Sequence, residues 1–575
     1  MTRHRRAWLR AVATVAFLAL AAACSQKGQE PAAQGADAVY RNGRIYTVDP
    51  QRSWAEAVAI RGDRIAYVGS DAGAEAQIGP ETAVVDLGGR MMVPDFQDVH
   101  VHPIGGGLEA NACNLNGLEG LAEYRAAIAA YAAAHPDAPW ILGGGWSMAV
   151  FGPGGAPSRA ILDELVPERP VFLYSQDGHT GWANSEALRI AGITRDTADP
   201  VDGRIDRDPA TGEAVGSLQE GATELVTRHI PPTTLDERLA GLGYAVRMLN
   251  DYGITSIQDA SVAKDDLEAY RTLEQRGGLS LRVVASLWWD RDRDLSQVPE
   301  LVALRHAYSG GLVDAATVKI MQDGVMENYT AAMLEPYLVA SGARGIPMVE
   351  PGLLREVVTR LDAEGFQVHF HAIGDAAIRQ ALDAIEAARD RNGSLGHRHH
   401  ISHLELIDPA DIPRFRELEV VANFQPLWAN ADAYVTELTI PFIGPKRARW
   451  LYPIRSVLDA GGTIAFGSDW SVSTASPYHQ IETALTRKDS TGKPMEPLVP
   501  EERIDLASAL AAFTIHAAFV NRREADTGSI EVGKLADLVV LDRNLFEIEA
   551  EEISETRALL TLFGGRPVHG DPAAL

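Results

Sequence analysis

Histidine, lysine and aspartate side chains stand at the ends of short apolar segments in this chain. These residues are His100, His102, Lys319, His371, His403 and Asp469. Each apolar segment is typical of a buried β-strand, and a strand projects residues i and i+2 to the same side, so His100 and His102 can face one point. Imidazole nitrogens and carboxylate oxygens are ligands that zinc prefers, and a catalytic zinc site keeps a position open for water. The spacing therefore predicts a metal-dependent hydrolase with its ligands around the mouth of one barrel.

Lys319 is the unusual member of this set, because an ammonium group repels a metal cation. Desolvation inside a barrel favours the neutral amine, which can react with carbon dioxide to form a carbamate that bridges two metal ions. An ordinary lysine in a salt bridge is the alternative. His369 shares a strand face with His371 but lies one layer deeper, so we expect it either to pack or to support a ligand from behind rather than to bind metal.

The elements that must position these residues alternate between strand and helix, which is typical of parallel β/α units. The segments predicted as buried strands are 92–100, 254–259, 281–287, 317–321, 367–371, 400–403, 420–424 and 463–467. Eight such strands fit a closed (β/α)8 TIM barrel of the α/β class, predicted to span residues 94–520. In that fold the site residues lie at the carboxyl ends of the strands, where active sites form.

Two regions outside the barrel are predicted to form one small β-sandwich domain. Residues 37–93 and 521–575 both contain short strands separated by glycine-rich turns. A third region, about 105–253, is a large insertion after the first barrel strand, and we expect it to cover the active site. Asp177 and His179 lie in this insertion, where they either contact substrate or hold the cover in place.

The first residues have the features of a bacterial export signal. Basic residues precede an apolar stretch at 11–23, which is short for a membrane span and ends in Ala-Ala-Ala-Cys24. This end resembles a lipobox, so we expect a signal peptide at 1–23, lipidation of Cys24 and a flexible tether at 24–36. By the sorting rule for Ser25, the protein would be an outer-membrane lipoprotein of the cell envelope. An ordinary secretory signal cleaved after Ala23 is the alternative.

Composition limits the classes of partner. The 575 residues are 46% hydrophobic, enough for a large core, and carry a formal net charge of −26. So acidic a surface argues against nucleic acid and against anionic lipid, which leaves the lipid anchor as the expected membrane contact. A small-molecule substrate is expected, and the sequence leaves the oligomeric state open.

Several motifs together resemble the amidohydrolase superfamily, in the branch that includes N-substituted formamide deformylases. Among the segments that carry the resemblance are Asp-Val-His-Val-His-Pro at 98–103, Asp-Gly-His at 177–179, Lys-Ile-Met-Gln-Asp-Gly at 319–324, His-Ala-Ile-Gly-Asp at 371–375 and Gly-Ser-Asp-Trp at 467–470. The resemblance covers nearly everything after the tether. One departure is Asp95, which stands where the family usually has a glycine, a residue that permits a positive φ.

The resemblance implies a role for each site residue. His100 and His102 would bind one metal, His371 and His403 a second, and Lys319 as a carbamate would bridge them; one or two zinc ions remain open. Asp469 would touch the first metal, take a proton from the attacking water, and then pass it to the leaving amine. Asp323 is expected to shape the substrate pocket. Arg455 would either touch substrate or form a structural ion pair.

The expected reaction is hydrolysis of a non-peptide C–N bond, such as that of an amide or an N-substituted formamide. The same metal site could support ester or phosphoester hydrolysis instead. A non-catalytic, surface-anchored binding lipoprotein is a further alternative, disfavoured because no ligand is missing. The sequence contains neither a Gly-x-Ser-x-Gly elbow nor a phosphate-binding glycine-rich loop that would indicate another chemistry.

Overall fold

The computed structural model describes residues 35–153 and 155–575. The predicted signal peptide, the predicted lipidation site Cys24 and most of the predicted tether lie outside these residues. The strands, in chain order, are β1 (Ala38–Arg41), β2 (Arg44–Tyr46), β3 (Trp54–Ala55), β4 (Ala57–Arg61), β5 (Arg64–Gly69), β6 (Ala83–Asp86), β7 (Met91–Pro94), β8 (Phe96–Val101), β9 (Cys113–Asn114), β10 (Ile141–Trp146), β11 (Val171–Ser175), β12 (Thr180–Ala183), β13 (Gly203–Arg207), β14 (Ala214–Glu220), β15 (Ile254–Val262), β16 (Arg282–Trp288), β17 (Val313–Met321), β18 (Gln367–Ala372), β19 (His400–His403), β20 (Val421–Phe424), β21 (Thr463–Phe466), β22 (Leu538–Leu541), β23 (Ala558–Phe563) and β24 (Arg566–His569).

Helices connect these strands, most of them on the outside of the barrel. The α-helices span Asp71–Ala74, Pro103–Ala110, Leu121–Ala134, Arg159–Leu165, Ser185–Ile190, Glu224–Thr227, Leu235–Asp251, Lys264–Gln275, Val298–Tyr308, Pro351–Ala363, Asp375–Asn392, Ile412–Glu417, Ile440–Ile443, Pro445–Ala448, Ile454–Asp459, Pro477–Thr486, Leu506–Phe513 and Ile515–Val520. Within the residues that the structure describes, no helix is long and apolar enough to cross a membrane.

Eight parallel strands form a nearly closed barrel, which confirms the predicted fold class. Their order is β21-β20-β19-β18-β17-β16-β15-β8. Beyond the last paired residues, β8 and β21 meet through the backbone: the Asp469 N–H donates to the His100 carbonyl at 2.7 Å. The Asp98 carboxylate joins the same two strands, because it accepts from the backbone N–H of His100 at 3.1 Å and of Ser468 at 3.0 Å.

The barrel register brings the site residues to one end. Met321 pairs with His371, and Ala372 pairs with His403. Every residue of β18, β19 and β20 is buried, since helices cover the outside of the barrel and side chains fill its interior.

The first barrel strand is shorter than its prediction. The segment expected as one strand at 92–100 divides at Asp95 into β7 and β8, and β7 belongs to a different sheet. Asp95 has no positive φ, so this position does not need the conformational freedom of glycine. Its buried carboxylate instead accepts a hydrogen bond from the Thr255 hydroxyl at 2.9 Å.

Both ends of the described chain build a β-sandwich beside the barrel, as predicted. A sheet with the order β24-β23-β22-β7-β2-β3 combines early and late strands, and a second sheet has the order β5-β4-β1-β6. Val58 and Ile60 pack against Leu560 and Leu562 in the core between them. The sandwich therefore depends on contacts between segments about five hundred residues apart in sequence.

The insertion after β8 forms a sheet of its own over the carboxyl end of the barrel. Its strand order is β13-β14-β12-β11-β10-β9. Trp146 and Trp182 are fully buried, so they support this subdomain from within rather than lining the site. The turn between β11 and β12 carries Asp177 and His179 to the wall of the cavity above the metal-binding residues.

Candidate metal centre and substrate cavity

Two histidines at the end of β8 face the same carboxylate. The Nε2 atoms of His100 and His102 lie 3.3 Å and 3.1 Å from Asp469 Oδ1. His100 is 1% exposed, whereas a third of the His102 side chain is open to the cavity. The alternation of a strand therefore places both imidazoles at the barrel mouth, as the sequence spacing predicts.

His403 and Asp469 complete the cluster. His403 ends β19 and Asp469 follows β21, and both have a left-handed backbone, with φ of 79° for His403 and 55° for Asp469. Such a backbone is uncommon outside glycine and is often found at functional sites. Donor atoms of His100, His403 and Asp469 all lie within 4.8 Å of one another, and all three residues are buried.

The cluster fits a divalent metal ion by its chemistry. Asp469 Oδ1 and His403 Nδ1 are buried, yet neither takes part in a hydrogen bond among the described residues. Two imidazoles and one carboxylate are a donor set that suits zinc and related ions. His100, His403 and Asp469 are therefore the residues that would hold a metal, with His102 directly beside them.

Electrostatics keep these ligands in their metal-binding forms. Burial and the Lys319 charge lower the pKa of His100 to about 3, and burial holds the pKa of His403 well below its ordinary value. Burial opposes ionisation of Asp469, but the neighbouring imidazoles of His100 and His102 keep its pKa well below the usual range. Neutral imidazole and ionised carboxylate are the states that coordinate a cation.

His369 supports a ligand histidine, which is the second of the two roles expected of it. Its Nε2 lies 2.9 Å from His100 Nδ1 and 2.8 Å from the Ser402 hydroxyl, and its Nδ1 lies 3.0 Å from the Ser286 hydroxyl. A hydrogen bond to the second nitrogen of a ligand histidine fixes its ring orientation and tautomer. His369 therefore orients His100, which leaves His100 Nε2 facing Asp469.

Lys319 lines the same cavity from β17. The side chain is almost fully buried, and burial lowers its pKa to about 7. Within the part of the chain that the structure describes, no carboxylate lies within 4.0 Å of its ammonium, so the structure gives no support to the salt-bridge alternative. A substantial fraction of this amine is neutral near pH 7.

His371 and Asp323 lie next to the cluster. The His371 ring centroid is 4.4 Å from that of His403, and its Nε2 is directed to the Gly324 carbonyl at 3.3 Å. Asp323 is completely buried behind His371 and accepts from three backbone N–H groups, those of Ile373, Gly374 and Ala332. These bonds hold the loop after β18, and Asp323 is not among the residues that line the two cavities, so any influence on the pocket passes through that loop.

Asp177 and His179 extend from the insertion to the cavity wall. Asp177 Oδ1 accepts from the Ser175 hydroxyl and the His179 N–H, each at 2.8 Å. His179 Nδ1 contacts Glu220 Oε2 at 2.8 Å. Burial lowers the pKa of His179, but the Glu220 charge outweighs it and raises that pKa to about 9. His179 is therefore an imidazolium whose ring lies 5.2 Å from that of His371.

Glu220 is a site residue that the sequence reasoning missed. It ends β14, and its Oε1 accepts a hydrogen bond from the Thr330 hydroxyl at 2.6 Å. The only available signal was a carboxylate at the end of a strand in the insertion, which does not by itself identify a partner. Its pairing with His179 depends on how β12 and β14 lie side by side.

The structure does not bring Arg455 to the site. Its guanidinium forms an ion pair with Asp459 at 2.7 Å, one helical turn away, and about half of the side chain is exposed. An exposed pair four residues apart on a helix contributes little energy. The alternative of a structural ion pair is thus the observed one.

A cavity of about 1630 Å³ connects the metal-binding residues to the surface. Its walls include His100, Lys319 and Asp469 from the barrel, and Asp177 and His179 from the insertion. A concave site with convergent polar groups is typical of small-molecule enzymes.

Comparison with known proteins agrees with this geometry. The family model described as "Amidohydrolase family" matches residues 83–569. The chain belongs to the amidohydrolase family. This amidohydrolase is 34% identical over 555 residues to Protein LONG AFTER FAR-RED 3 of Arabidopsis thaliana, covering 94% of the chain and 92% of that protein. It is 29% identical over 550 residues to an N-substituted formamide deformylase of Arthrobacter pascens, covering 92% of this chain and 97% of that protein.

A solved structure matches the fold of this amidohydrolase along most of its length. The crystal structure of an uncharacterized metal-dependent hydrolase from Pyrococcus furiosus has a TM-score of 0.67 and 26% identity, covering 88% of this chain and 99% of that one. The family, the buried donor set and this likeness identify the amidohydrolase as a metal-dependent hydrolase.

Proposed function

We propose that this amidohydrolase hydrolyses a non-peptide C–N bond in a small amide of the N-substituted formamide class. The observation that carries the proposal is the position of Asp469, which lies among the metal-binding imidazoles and also lines the substrate cavity. The likeness to an N-substituted formamide deformylase over nearly the whole chain supports the choice of a C–N bond.

A divalent ion held by His100, His403 and Asp469 would supply Lewis-acid chemistry to the site. Asp469 is ionised, so it accepts the proton of the attacking water and delivers it to the leaving nitrogen. His179 uses Nδ1 for Glu220, so its Nε2–H is free to donate to the oxygen of the carbonyl that is attacked. The barrel thus supplies an anionic group for the leaving nitrogen, and the insertion supplies a cationic group for the carbonyl oxygen.

We also propose that Lys319 is carboxylated in the active protein. The buried amine has its pKa near 7 and shares the cavity with the ligand histidines, so it is partly neutral and within reach of dissolved carbon dioxide. The test is reconstitution of metal-free protein with zinc in the presence and absence of bicarbonate. Bicarbonate should increase metal uptake in the parent but not in Lys319→Met.

The decisive experiment compares metal content and activity in the parent, Asp469→Asn and a control, Asp459→Asn. Asp459 undergoes the same chemical change but lies on the surface beside Arg455. The parent should hold one or two divalent ions, turn over amides, and lose activity on chelation. Asp469→Asn should lose turnover by about a thousandfold or more, as expected for removal of a proton-transfer group, while the control is unaffected.

The substrate panel should contain formamides, other N-substituted amides, carboxylic esters and phosphotriesters. Turnover of esters or phosphotriesters with none of amides would replace the C–N assignment by one of the alternative hydrolase reactions. A folded parent that remains metal-free and inert after treatment with zinc and bicarbonate would overturn the hydrolase proposal.

A further inference from the structure

A second cavity, of about 240 Å³, opens beside the metal centre. It shares Asp469, Asp177 and His179 with the large cavity, so a molecule at the metal centre can reach into it. Its wall contains the carboxylates of Asp177, Glu327, Glu405, Asp432, Asp469 and Asp489, and we call this cavity the acidic chamber. Neither lysine nor arginine is among the described residues that line it.

The hydrogen-bonding state of the wall identifies the kind of ligand. Glu405 Oε1, Asp177 Oδ2 and Asn430 Oδ1 are buried acceptors that receive no hydrogen bond from any described residue. The orientation of Asn430 is set by its own Nδ2, which donates to the Leu427 carbonyl at 2.8 Å. Glu405 is only 2% exposed. All of the unpartnered buried side-chain atoms that the described wall contributes are acceptors, so the matching ligand is a donor.

A cation in the chamber would stabilise the ionised form of these carboxyl groups. Burial raises the pKa of Glu327 well above its ordinary value and that of Asp432 to about 6, because buried carboxylates are costly to ionise without a counter-charge. His179 does not supply that charge, since Glu220 already pairs with it at 2.8 Å. A positively charged donor would satisfy both the charge and the free acceptors.

The spread of the carboxylates favours an organic cation over a metal ion. Across residues 35–153 and 155–575, the only cluster of three donor residues close enough to hold a metal is His100, His403 and Asp469. Aromatic rings also form part of the wall, from Trp428, Tyr434 and Tyr452. Aromatic faces stabilise ammonium groups, and an ammonium carries three donors for three separate acceptors.

We propose that the acidic chamber binds a primary ammonium group of the substrate. The substrate class is then a small amide whose organic part carries an aliphatic amine, positioned beside Asp469. This assignment of substrate rests on the proposed function, whereas binding of the ammonium group does not. The strongly acidic net charge of the protein also attracts cations towards the site.

Calorimetry on the full, zinc-loaded protein tests the chamber independently of turnover. The probes are benzylammonium, benzyl alcohol as its neutral counterpart, and benzyltrimethylammonium, which has the charge but no N–H donor. Benzylammonium should bind at least about tenfold more tightly than either of the other two, since hydrogen bonds to charged groups contribute about 1.5–3 kcal/mol.

Three variants locate the binding. Glu327→Gln and Asp432→Asn should each weaken benzylammonium binding about tenfold, with melting temperatures and zinc content recorded to establish that the site is intact. Glu356→Gln is the matched control, because Glu356 is an exposed residue of the helix Pro351–Ala363 and undergoes the same loss of charge. Zinc coordination by the amine would instead be insensitive to all three substitutions.

Kinetics then separate the two proposals. Mono-N-formyl-1,4-diaminobutane should have a higher kcat/KM than N-(4-hydroxybutyl)formamide in the parent, and Glu327→Gln should abolish the difference. If the protein hydrolyses amides but shows no preference for ammonium compounds, the chamber proposal is overturned and the hydrolase proposal is retained. If benzylammonium binds selectively and no amide is cleaved, the proposal of ammonium binding is retained and the proposed hydrolysis of a C–N bond is wrong.

Discussion

Substitution of Gly467 by alanine should damage the metal centre without touching a ligand. Gly467 immediately follows β21 and lies against His100 on β8, where the last and first barrel strands meet. A Cβ atom at this position would lie 2.6 Å from the His100 backbone nitrogen and 2.7 Å from its Cβ. Non-bonded atoms need about 3.5 Å, so the two strands would have to separate by about 0.8 Å.

This separation is large compared with the tolerance of a metal site. Ligand distances in a metal site must hold to about 0.2 Å. The strand that carries His100 lies beside the strand that leads to Asp469, so their separation changes the distance between these two ligands. We expect a loss of about 1–3 kcal/mol in stability from overpacking and a decrease of about 10- to 100-fold in metal affinity. The two effects have one cause, because the alanine forces apart the strands that carry His100 and Asp469.

Zinc affinity is measured by competition with a chromogenic chelator, and stability by thermal unfolding of the metal-free protein. Gly243→Ala is the control: it lies inside the helix Leu235–Asp251, and its nearest foreign atom would be the flexible Arg247 guanidinium at 3.6 Å. This control should keep the parental zinc affinity and lose no stability. Retention of parental zinc affinity by Gly467→Ala would refute the argument.

Three further perturbations have expected outcomes. Glu220→Gln should remove stability at low pH: the pKa of His179 is raised from 6.5 to about 9, so the pair contributes roughly 3 kcal/mol below pH 6.5 and loses it as the pH rises through 9. Asp537→Ala should lower the free energy of unfolding in urea by about 3–5 kcal/mol, because it leaves Arg282 unpaired where the barrel meets the sandwich. Cys24→Ser should abolish acylation, seen by mass spectrometry, and move the protein from the membrane to the soluble fraction.

Each of these outcomes has a matched control. Equal pH dependence of the melting temperature in the parent and Glu220→Gln would contradict the ion-pair argument. Glu75→Ala breaks an exposed ion pair with Arg41 and should lower the free energy of unfolding by at most about 1 kcal/mol. An equally small decrease in Asp537→Ala would contradict the prediction that the buried pair with Arg282 stabilises the fold. Cys113→Ser should remain acylated, since Cys113 is buried in the fold, and acylation of Cys24→Ser would exclude Cys24 as the anchor.

Local sequence patterns predicted the barrel, and they also picked out the three residues that the structure gathers into a candidate metal site, His100, His403 and Asp469. The ends of β8 and β18 follow the two-residue repeat of a strand, which places His100 beside His102 and His369 beneath His371 in any barrel of this kind. The β-sandwich was also predictable, because glycine-rich turns and short strands recur at both ends of the chain.

Asp323 and Arg455 make structural contacts that the sequence motifs did not reveal. Asp323 follows β17 in sequence, but its three hydrogen bonds go to the loop after β18 and to Ala332. Arg455 belongs to a family-like motif, yet its helix turns it towards solvent. Motif membership alone therefore did not distinguish a residue that contacts the cavity from one that supports it or lies elsewhere.

By itself, the sequence determined the fold class, the family resemblance and the candidate ligands, because these depend on short repeats and local motifs. The protonation states of the ligands, neutral imidazole beside ionised carboxylate, depend on burial and neighbouring charges that only the folded barrel provides. Tertiary structure alone decided the pairing of His179 with Glu220 and the gathering of Glu327, Glu405 and Asp432 around one chamber. Apart from Glu220, which ends β14, these groups lie on loops without periodicity. Their positions follow from how the insertion packs over the barrel, where desolvation and charge determine the chemistry of each group.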